Sequence, residues 1–455
     1  MAWDTRKLKN WVYLFKQIAS KFYSWLILVF SIIFFVLFLD QKEFLWLIGV
    51  FSCFLLLFFL GEIKKAGLAL FLIGISALLV WTIKPESNHK QSIFEGKVVE
   101  SYPYGSFLQT ENAKFFIKGK SLEIDSWVKI KGILNALIVR KKENSSFIFY
   151  LKSKSIFYEI VNSQVIENHN STNFISTIKK YIFSGSENYS KLIPMVFLGS
   201  ITEDANFLKS NLIYLGVYHL FVISGFHINF FKQIFFWVFQ KLKVKTVIYK
   251  PIFFAFLVFQ SFLLNFPISF LRGVIFWVLI EINEIFLNKK FSKSTLLSWT
   301  MLILMGSNIF IIYSPAFILS FGVSFIILFI NQIKFSKKWI KILVNFVFVN
   351  LTSFVYSAFY NGFYNLFSPF ILLIFSPFFT IFYIILLFFL WNKEILEIIS
   401  KYFVEAIEFI RELPFLVLNF KINQTWLFFS NIIFLICFLF MEMTTSSSKR
   451  KLKQL

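Results

Sequence analysis

The sequence predicts a mainly α-helical, polytopic membrane protein that carries one small extracytoplasmic β-barrel domain. Hydrophobic residues make up 58% of the 455 positions and charged residues only 15%. Several apolar runs reach the ~20 residues a helix needs to cross ~30 Å of hydrocarbon. Between about 90 and 165 the pattern switches to short runs of period two, as half-buried strands require.

Net charge is +22. Part of that excess is the positive-inside signal that orients membrane spans. The rest favours an anionic partner such as lipid headgroups or nucleic acid. The 68 Phe residues read as compositional bias, so no single Phe gains functional weight from its abundance. Cys53 and Cys437 both lie in apolar runs, which predicts neither a structural disulfide nor a cysteine metal site.

Residues 1–85 read as N-terminal transmembrane helices. The first 21 residues are basic (Arg6, Lys7, Lys9, Lys16 and Lys21 against Asp4) and lead into Phe22–Leu39. That run is too long for a signal peptide and lacks a small-residue cleavage site, so it reads as a first span with a cytoplasmic N-terminus. Phe44–Leu60 returns, Lys64-Lys65 marks the inside, and Ala66–Thr82 crosses outward. The polar segment 86–168 is therefore placed outside.

Within it, Lys97–Glu100, Lys114–Lys118 and Trp127–Gly132 alternate, and Pro103, Gly105, Gly119 and Asn135 punctuate them. This predicts a barrel or sandwich of roughly five strands, with an OB-type barrel fitting the pattern. Such barrels bind single strands through basic grooves and aromatic platforms. Tyr102, Tyr104, Phe107, Lys114, Lys118 and Lys120 are the candidates for that role. The segment is only mildly basic, however, so a solvated barrel with ordinary surface charges fits as well.

Residues 169–441 form the main membrane region. A short, partly amphipathic helix is expected over 171–192, followed by the polar turn Thr202-Glu203-Asp204. The run Tyr218–His227 then holds two of the four histidines, His219 and His227, in apolar surroundings. On an unbroken helix they would lie about 80° apart. Ser224-Gly225 between them loosens the helix, because Gly costs backbone entropy and Ser competes for backbone bonds. Packed or interfacial histidines explain the pair as well as a polar cleft does. The cleft reading rests on the expense of ionisable groups at membrane depth.

Lys241, Lys243, Lys245 and Lys250 form a basic loop placed inside. Residues 252–266 cross outward to Pro267, and a further segment opens with Arg272-Gly273. Arg272 either snorkels to headgroups or lines a polar conduit. Spans follow at 294–313 and 316–331, hinged at Ser314-Pro315, and at 339–358. Ser368-Pro369 and Ser376-Pro377 within 366–391 suggest a kinked or re-entrant element. In 394–412 the charges Glu394, Glu397, Lys401, Glu405, Glu408 and Glu412 step by three and four, giving an amphipathic helix in the interface or along the bundle. A last span at about 425–441 precedes the basic tail 442–455, placed in the cytoplasm. The passes close with that tail inside only if 366–391 is re-entrant or the amphipathic helix lies outside.

No P-loop pattern occurs, and no His/Cys/Asp cluster has metal-ligand spacing. Ser224 beside His227 lacks a G-x-S-x-G elbow and an acidic orienter, which argues against a hydrolase. The sequence predicts no cofactor, no metal and no enzymatic activity.

The chain resembles the ComEC competence proteins, inner-membrane channels for DNA uptake in natural transformation. The match is carried by Gly199 through His227, with Gly216, His219-Leu220 and Ile223-Ser224-Gly225-x-His227 in the family's order. Pro267 with Arg272-Gly273, the run Pro315-x-Phe317-x-Leu319-Ser320-Phe321, and Ser368-Pro369 with Pro377 are similar to later family segments. Ser200, Phe226 and Ile318 stand where the family usually has an acid, Leu and Gln, and an Asn often placed before the second Pro is absent. The barrel at 86–168 sits where the family has an OB-like domain. No His-x-His-x-Asp-His run of the family's metallo-β-lactamase-like domain is present, so the resemblance implies a short member that moves DNA without cutting it.

The resemblance further implies a multi-pass protein of the cytoplasmic (inner) membrane. Its partners would be single-stranded DNA, membrane lipids, a DNA receptor on the outer side, a separate nuclease, and a cytoplasmic helicase or DNA-binding protein. His219, Ser224, Gly225, His227, Arg272 and Ser320 would line the DNA path. Weak, multi-site contacts would let a strand enter and leave. The competing reading is a transporter for an anionic envelope polymer or a lipid-linked glycan, which would want the same polar cleft and outer β-domain.

Overall fold

The computed structural model of the protein describes residues 24–41, 44–82, 88–102, 104–137, 145–170, 173–202, 204–221, 225–332, 335, 337–422 and 426. The basic N-terminal segment, Pro103, Ser224, the expected last span with Cys437, and the basic tail lie outside the described residues.

From the N-terminal side, α1 (Ser24–Gln41), α2 (Phe44–Phe59) and α3 (Ile63–Thr82) lead to strands β1 (Asn88–Tyr102), β2 (Gly105–Gln109), β3 (Lys114–Lys118) and β4 (Ser126–Ala136). A short helix, α4 (Ser145–Ser153), precedes β5 (Ile156–Asn170). Then come α5 (Phe174–Phe183), α6 (Glu187–Leu198), α7 (Ala205–Tyr214), α8 (Tyr218–Phe221), α9 (Gly225–Lys241), α10 (Thr246–Leu263) and α11 (Ile268–Ile285). The remainder is α12 (Lys293–Ser307), a 3-10 turn (Ile309–Tyr313), α13 (Pro315–Gln332), α14 (Lys338–Tyr360), β6 (Phe363–Asn365), α15 (Ser368–Phe388), α16 (Lys393–Glu412) and β7 (Val417–Asn419). Two compact units divide the chain: one drawn from 1–84, 275–362 and 421–455, the other from 85–274 and 363–420.

In the first unit α1 packs against α2, α3 and α12. Trp25 meets Trp299 edge-on, with centroids 5.6 Å apart. Lys65 lies over the Trp25 ring and pairs with Glu62 at 3.2 Å. Asp40, an acid at the end of an apolar helix, accepts a 2.8 Å bond from the Tyr313 hydroxyl. The run expected as one span over 294–313 is broken at Asn308. Its side chain accepts from Phe310 N at 2.9 Å and caps the 3-10 turn, so the continuous helix gives way to two elements. The hinge at Ser314-Pro315 is present, and α13 begins at Pro315.

The second unit is built around a closed barrel of strand order β1-β2-β3-β5-β4. All neighbours are antiparallel except β3 and β5. This arrangement fits an OB fold. Alternation places Val98, Leu108, Phe115, Ile117, Val128, Ile130 and Ile160 inside. Phe107, Phe116, Leu137, Leu151 and Ile156 close one end under α4.

Barrel and helices of this unit are joined by a buried ionic clasp. Asp125, 2% exposed, pairs with Lys97 at 2.8 Å and with Lys179 of α5 at 3.1 Å. Lys179 also donates to Asn265 Oδ1 at 2.8 Å, and Asn265 Nδ2 donates to the Val99 carbonyl at 3.0 Å. Asp125 has φ +67°, a left-handed geometry that short polar side chains tolerate, and its N–H reaches Val98 O. A charge taken out of water needs such partners, because desolvation of an unpaired ion costs several kcal/mol.

Elsewhere in this unit α16 packs along α6 and α7, so the amphipathic helix runs along the bundle. The Glu397 carboxylate accepts from Ser186 Oγ, Asn188 Nδ2 and the backbone N–H groups of Asn188 and Tyr189, capping the α6 N-terminus. Lys393 lies 4.3 Å over the Tyr181 ring. The segment 366–391 contains one unbroken helix, α15, that passes through Pro377. Proline removes one donor, and the flanking turns hold the helix together.

Among the described residues, three helices are long and apolar enough to cross a membrane: Ile63–Val80, Lys338–Tyr360 and Ser368–Phe388. Their surfaces, and that of α2, expose large apolar side chains, among them Phe51 (63%), Leu343 (51%) and Phe378 (67%).

Replacing Asp125 by Ala should leave Lys179 buried without its acid. The expected cost is about 3–5 kcal/mol, read as a fall in the unfolding midpoint of the full chain in detergent. Exposed Glu111→Ala should not move that midpoint.

Candidate nucleic-acid interface and conduit

The barrel presents one aromatic and ionic end. Tyr102, the last residue of β1, and Tyr104, just before β2, stack with centroids 5.3 Å apart and planes 7° apart. Phe147 of α4 meets Tyr104 edge-on at 5.6 Å. In OB barrels the β2–β3 face and the loops after β1 and β4 take ligands, and this end is formed by those elements. Tyr104 is 49% exposed and offers a ring face. Tyr102 lies behind it, with its hydroxyl 2.7 Å from Glu100 and 3.3 Å from the Tyr150 hydroxyl.

Among the lysines, Lys118 is 62% exposed and stands opposite Gly105 in the β2–β3 register. Lys114 is half-buried; desolvation first and then the Lys154 charge hold its pKa below the usual lysine value, while Glu100 opposes them. Lys120 contributes its carbonyl to Ser106. Phe107 is only 3% exposed and belongs to the hydrophobic core, so it is not available as a stacking platform. It alternates with inward Leu108 and so takes the other face of β2, where it packs with Phe116 and Leu151 of α4.

Beneath the rings, Glu100 and Lys154 pair at 2.7 Å. Burial pulls the Glu100 carboxyl upward. The Lys154 charge and hydrogen bond, the Tyr102 hydroxyl and the Lys114 charge outweigh it and hold the group below the usual carboxylate value. Burial, then Tyr150 and Glu100, push the Tyr104 hydroxyl up to about 12.

The helical part of the site centres on a close crossing of α9 and α11. Gly225 is the first residue of α9, and a Cβ there would stand 2.6 Å from Arg272 Nη2. A Cβ on Gly273 would lie 3.3 Å from Gly225 Cα and 2.5 Å from Ile228 Cδ1. Two glycines thus let two helix backbones touch and leave the space that the Arg272 guanidinium occupies.

The two histidines part company. His227 is 1% exposed, with its ring edge-on to Phe379 (6.1 Å) and Tyr383 (5.4 Å) of α15. His219 is exposed and hydrogen-bonds the backbone of Gly216. Arg272 and Gly225 are therefore brought to one crossing, while His227, two residues further along α9, packs against the rings of α15 and His219 lies on the preceding helix. Ser224 lies outside the described residues, and Ser320 is half-buried on α13 of the other unit, its carbonyl accepting from Ser324.

The corner before His219 is fixed by residues that the sequence reading did not single out. Gly216 has φ +76°, and a Cβ there would overlap Ser368 at the start of α15. Asn365, 2% exposed, donates to the Tyr214 carbonyl at 3.2 Å and accepts from Phe367 N at 2.9 Å. The signal for this knot was available only as a lone Asn three residues ahead of Ser368-Pro369.

Two outcomes follow from this geometry. Gly216→Ala should cost about 1–3 kcal/mol and lower the unfolding midpoint. Gly225→Ala should fold, because a guanidinium can swing aside, but with the Arg272 side chain displaced. The pH dependence is signed: a carboxyl held low stabilises the fold above its ordinary pKa and loses that contribution as pH falls through the lower folded value. The unfolding midpoint of the wild type should therefore drop below about pH 4, and the gap to Glu100→Gln, present at pH 7, should close there.

A family model described as competence protein matches residues 202–445, more than half of the chain. The uncharacterized protein MG316 of Mycoplasma genitalium is 32% identical over 217 residues, covering 48% of this chain and 55% of its own length. The chain thus spans about half of that relative. No solved structure matches. The region matched by the family model includes α8, α9, α11 and α15, the helices that carry His219, Gly225, Arg272 and the rings around His227. The chain belongs to the competence protein (ComEC) family.

Proposed function

We propose that this protein is a multi-pass channel of the cytoplasmic membrane that carries single-stranded DNA inward during natural transformation. The observation that carries the reading is the Arg272 guanidinium held at the Gly225–Gly273 crossing of two predominantly apolar helices. A strand bears one negative charge per nucleotide, which hydrocarbon does not accept, so its path needs polar groups and a slight positive bias. One arginine, two imidazoles and the side-chain-free Gly225 at the start of α9 supply a few weak sites, which permit movement where many tight ones would stall it.

Exposed apolar faces on α2, α14 and α15 fit contact with lipid, since surfaces of that kind are costly in water. The stacked Tyr102–Tyr104 pair beside Lys118 supports capture of a strand on the outer side, where every base offers a ring face. In the conformation described, Phe379 and Tyr383 close over His227, so passage requires those rings to move. A DNA receptor outside, a separate nuclease, and a helicase or DNA-binding protein inside complete the scheme.

The test is import of labelled DNA into a strain whose copy of the gene carries Arg272→Ala or His227→Ala, with protein levels matched. Both should reduce cytoplasmic label at least tenfold, and Arg272→Glu should abolish it. A deletion strain that still imports label would remove the reading. Tyr104→Ala should weaken binding of an oligothymidylate to the purified protein by about 1–3 kcal/mol per lost stack, while Tyr102→Phe leaves binding unchanged.

A further inference from the structure

Helices α6, α7 and α16 pack against one another in the second unit, and each buries a polar side chain. Ser400 lies on the buried face of α16 with Leu396, Val404 and Ile407. Tyr189 of α6 and Asn211 of α7 are, like Ser400, 0% exposed. The Tyr189 hydroxyl, both ends of the Asn211 amide, and the Ser400 hydroxyl have no hydrogen-bond partner. Each such group is destabilising when left unsatisfied, and Phe, Leu and Ala would fill similar volumes without that cost. Orphaned groups in a native fold call for an explanation, and a partner present in another state is one.

The contacts that hold α16 in place are of a kind that water or phosphate can replace. At one end Glu397 takes four donors from Ser186, Asn188 and Tyr189, and Lys393 donates to Ser184 Oγ at 2.8 Å. At the other, Arg411 lies 5.4 Å over Phe207 and 5.8 Å over Tyr214 of α7, residues that share a helical face with Asn211. The seam also adjoins the conduit. Phe403 of α16 contacts Phe221 at 5.5 Å, Phe221 contacts Phe379 at 4.7 Å, and Phe379 borders His227.

We infer that the seam between α16 and the α6–α7 pair is a second polar lane of the strand's path, which parts so that Tyr189, Asn211 and Ser400 hydrogen-bond water and the phosphates of a single strand. This rests on the transport reading and adds to it a set of neutral contacts. Neutral donors orient a phosphate without the full charge that would hold it, and the cations Lys393 and Arg411 stand at the two ends. In the parted state Glu397, Lys393 and Arg411 of α16 exchange protein for solvent partners.

The experiment is thiol accessibility in the full-length protein, in proteoliposomes, with Cys53 and Cys437 replaced by Ala. Ser400→Cys and Asn211→Cys should react with a charged, membrane-impermeant thiosulfonate at least tenfold faster than Leu396→Cys or Leu212→Cys, buried apolar positions on the same helices. A 20-nucleotide oligothymidylate should slow that reaction at least threefold. Reaction no faster than the apolar controls means a dry seam and overturns the inference. Reaction that DNA does not slow overturns the assignment to the strand.

A second measurement covers variants that misfold. Tyr189→Phe, Ser400→Ala and Asn211→Leu remove the orphaned atoms, and together they should raise the unfolding midpoint while lowering DNA import severalfold. Import unchanged in the stabilised triple variant overturns the inference. If instead deletion of the gene leaves import intact, the transport reading fails by itself, whatever the labelling shows of the seam.

Discussion

The contact between α9 and α11 at Gly225 and Gly273 is the constraint on which the candidate conduit depends. Without a side chain at either position the two backbones approach, and the Arg272 guanidinium occupies the space a methyl group would fill. A cation among apolar helices is costly wherever it sits, so its position must be set by packing. Here the packing is set by the absence of two Cβ atoms. His227 lies two residues further along α9, and the rings of α15 close around it. The guanidinium is thus placed by the glycine contact, and the imidazole is enclosed by aromatic rings.

A second constraint acts at the junction of barrel and helices. One acid, Asp125, faces two lysines, and Asn265 relays the contact to the turn before α11. Two cations on one carboxylate leave a net positive charge in a place with little water. Such a site tolerates the loss of either lysine better than the loss of the acid. The barrel, α5 and the turn before the helix bearing Arg272 are thus held by a common set of polar contacts.

Much of the fold can be read in the chain itself. Period-two runs such as Lys114–Lys118 mark strands because one face must be dry. Pro315 marks the start of α13 because its missing N–H is free only there. The stepped charges of 394–412 mark the amphipathic helix α16, but not which surface would cover its apolar side. Asn308 escaped notice because a lone Asn in an apolar run gives no warning that its side chain will cap a turn. Phe107 misled for a related reason: alternation tells which face of β2 it takes, but not that α4, some forty residues later, covers that face. At the candidate site the histidines and Arg272 stood out as ionisable groups in oil. Gly216, Asn365 and the orphaned Asn211 did not, since their significance lies in neighbours brought from far along the chain.

The clasp also bears on the order in which the molecule is assembled. The barrel's own hydrogen-bonded ring is complete once residue 170 has been made, because β5 supplies the last strand. Asp125 and Lys97 can already pair at that moment. Lys179 arrives with α5, but Asn265, which receives Lys179 and reaches back to Val99, is synthesised only after α6 to α10. A nascent chain would therefore carry a folded but undocked barrel through the insertion of those helices. Docking then becomes a late event that certifies the helices after it, since an α10–α11 turn in the wrong place could not offer Asn265 to the waiting lysine.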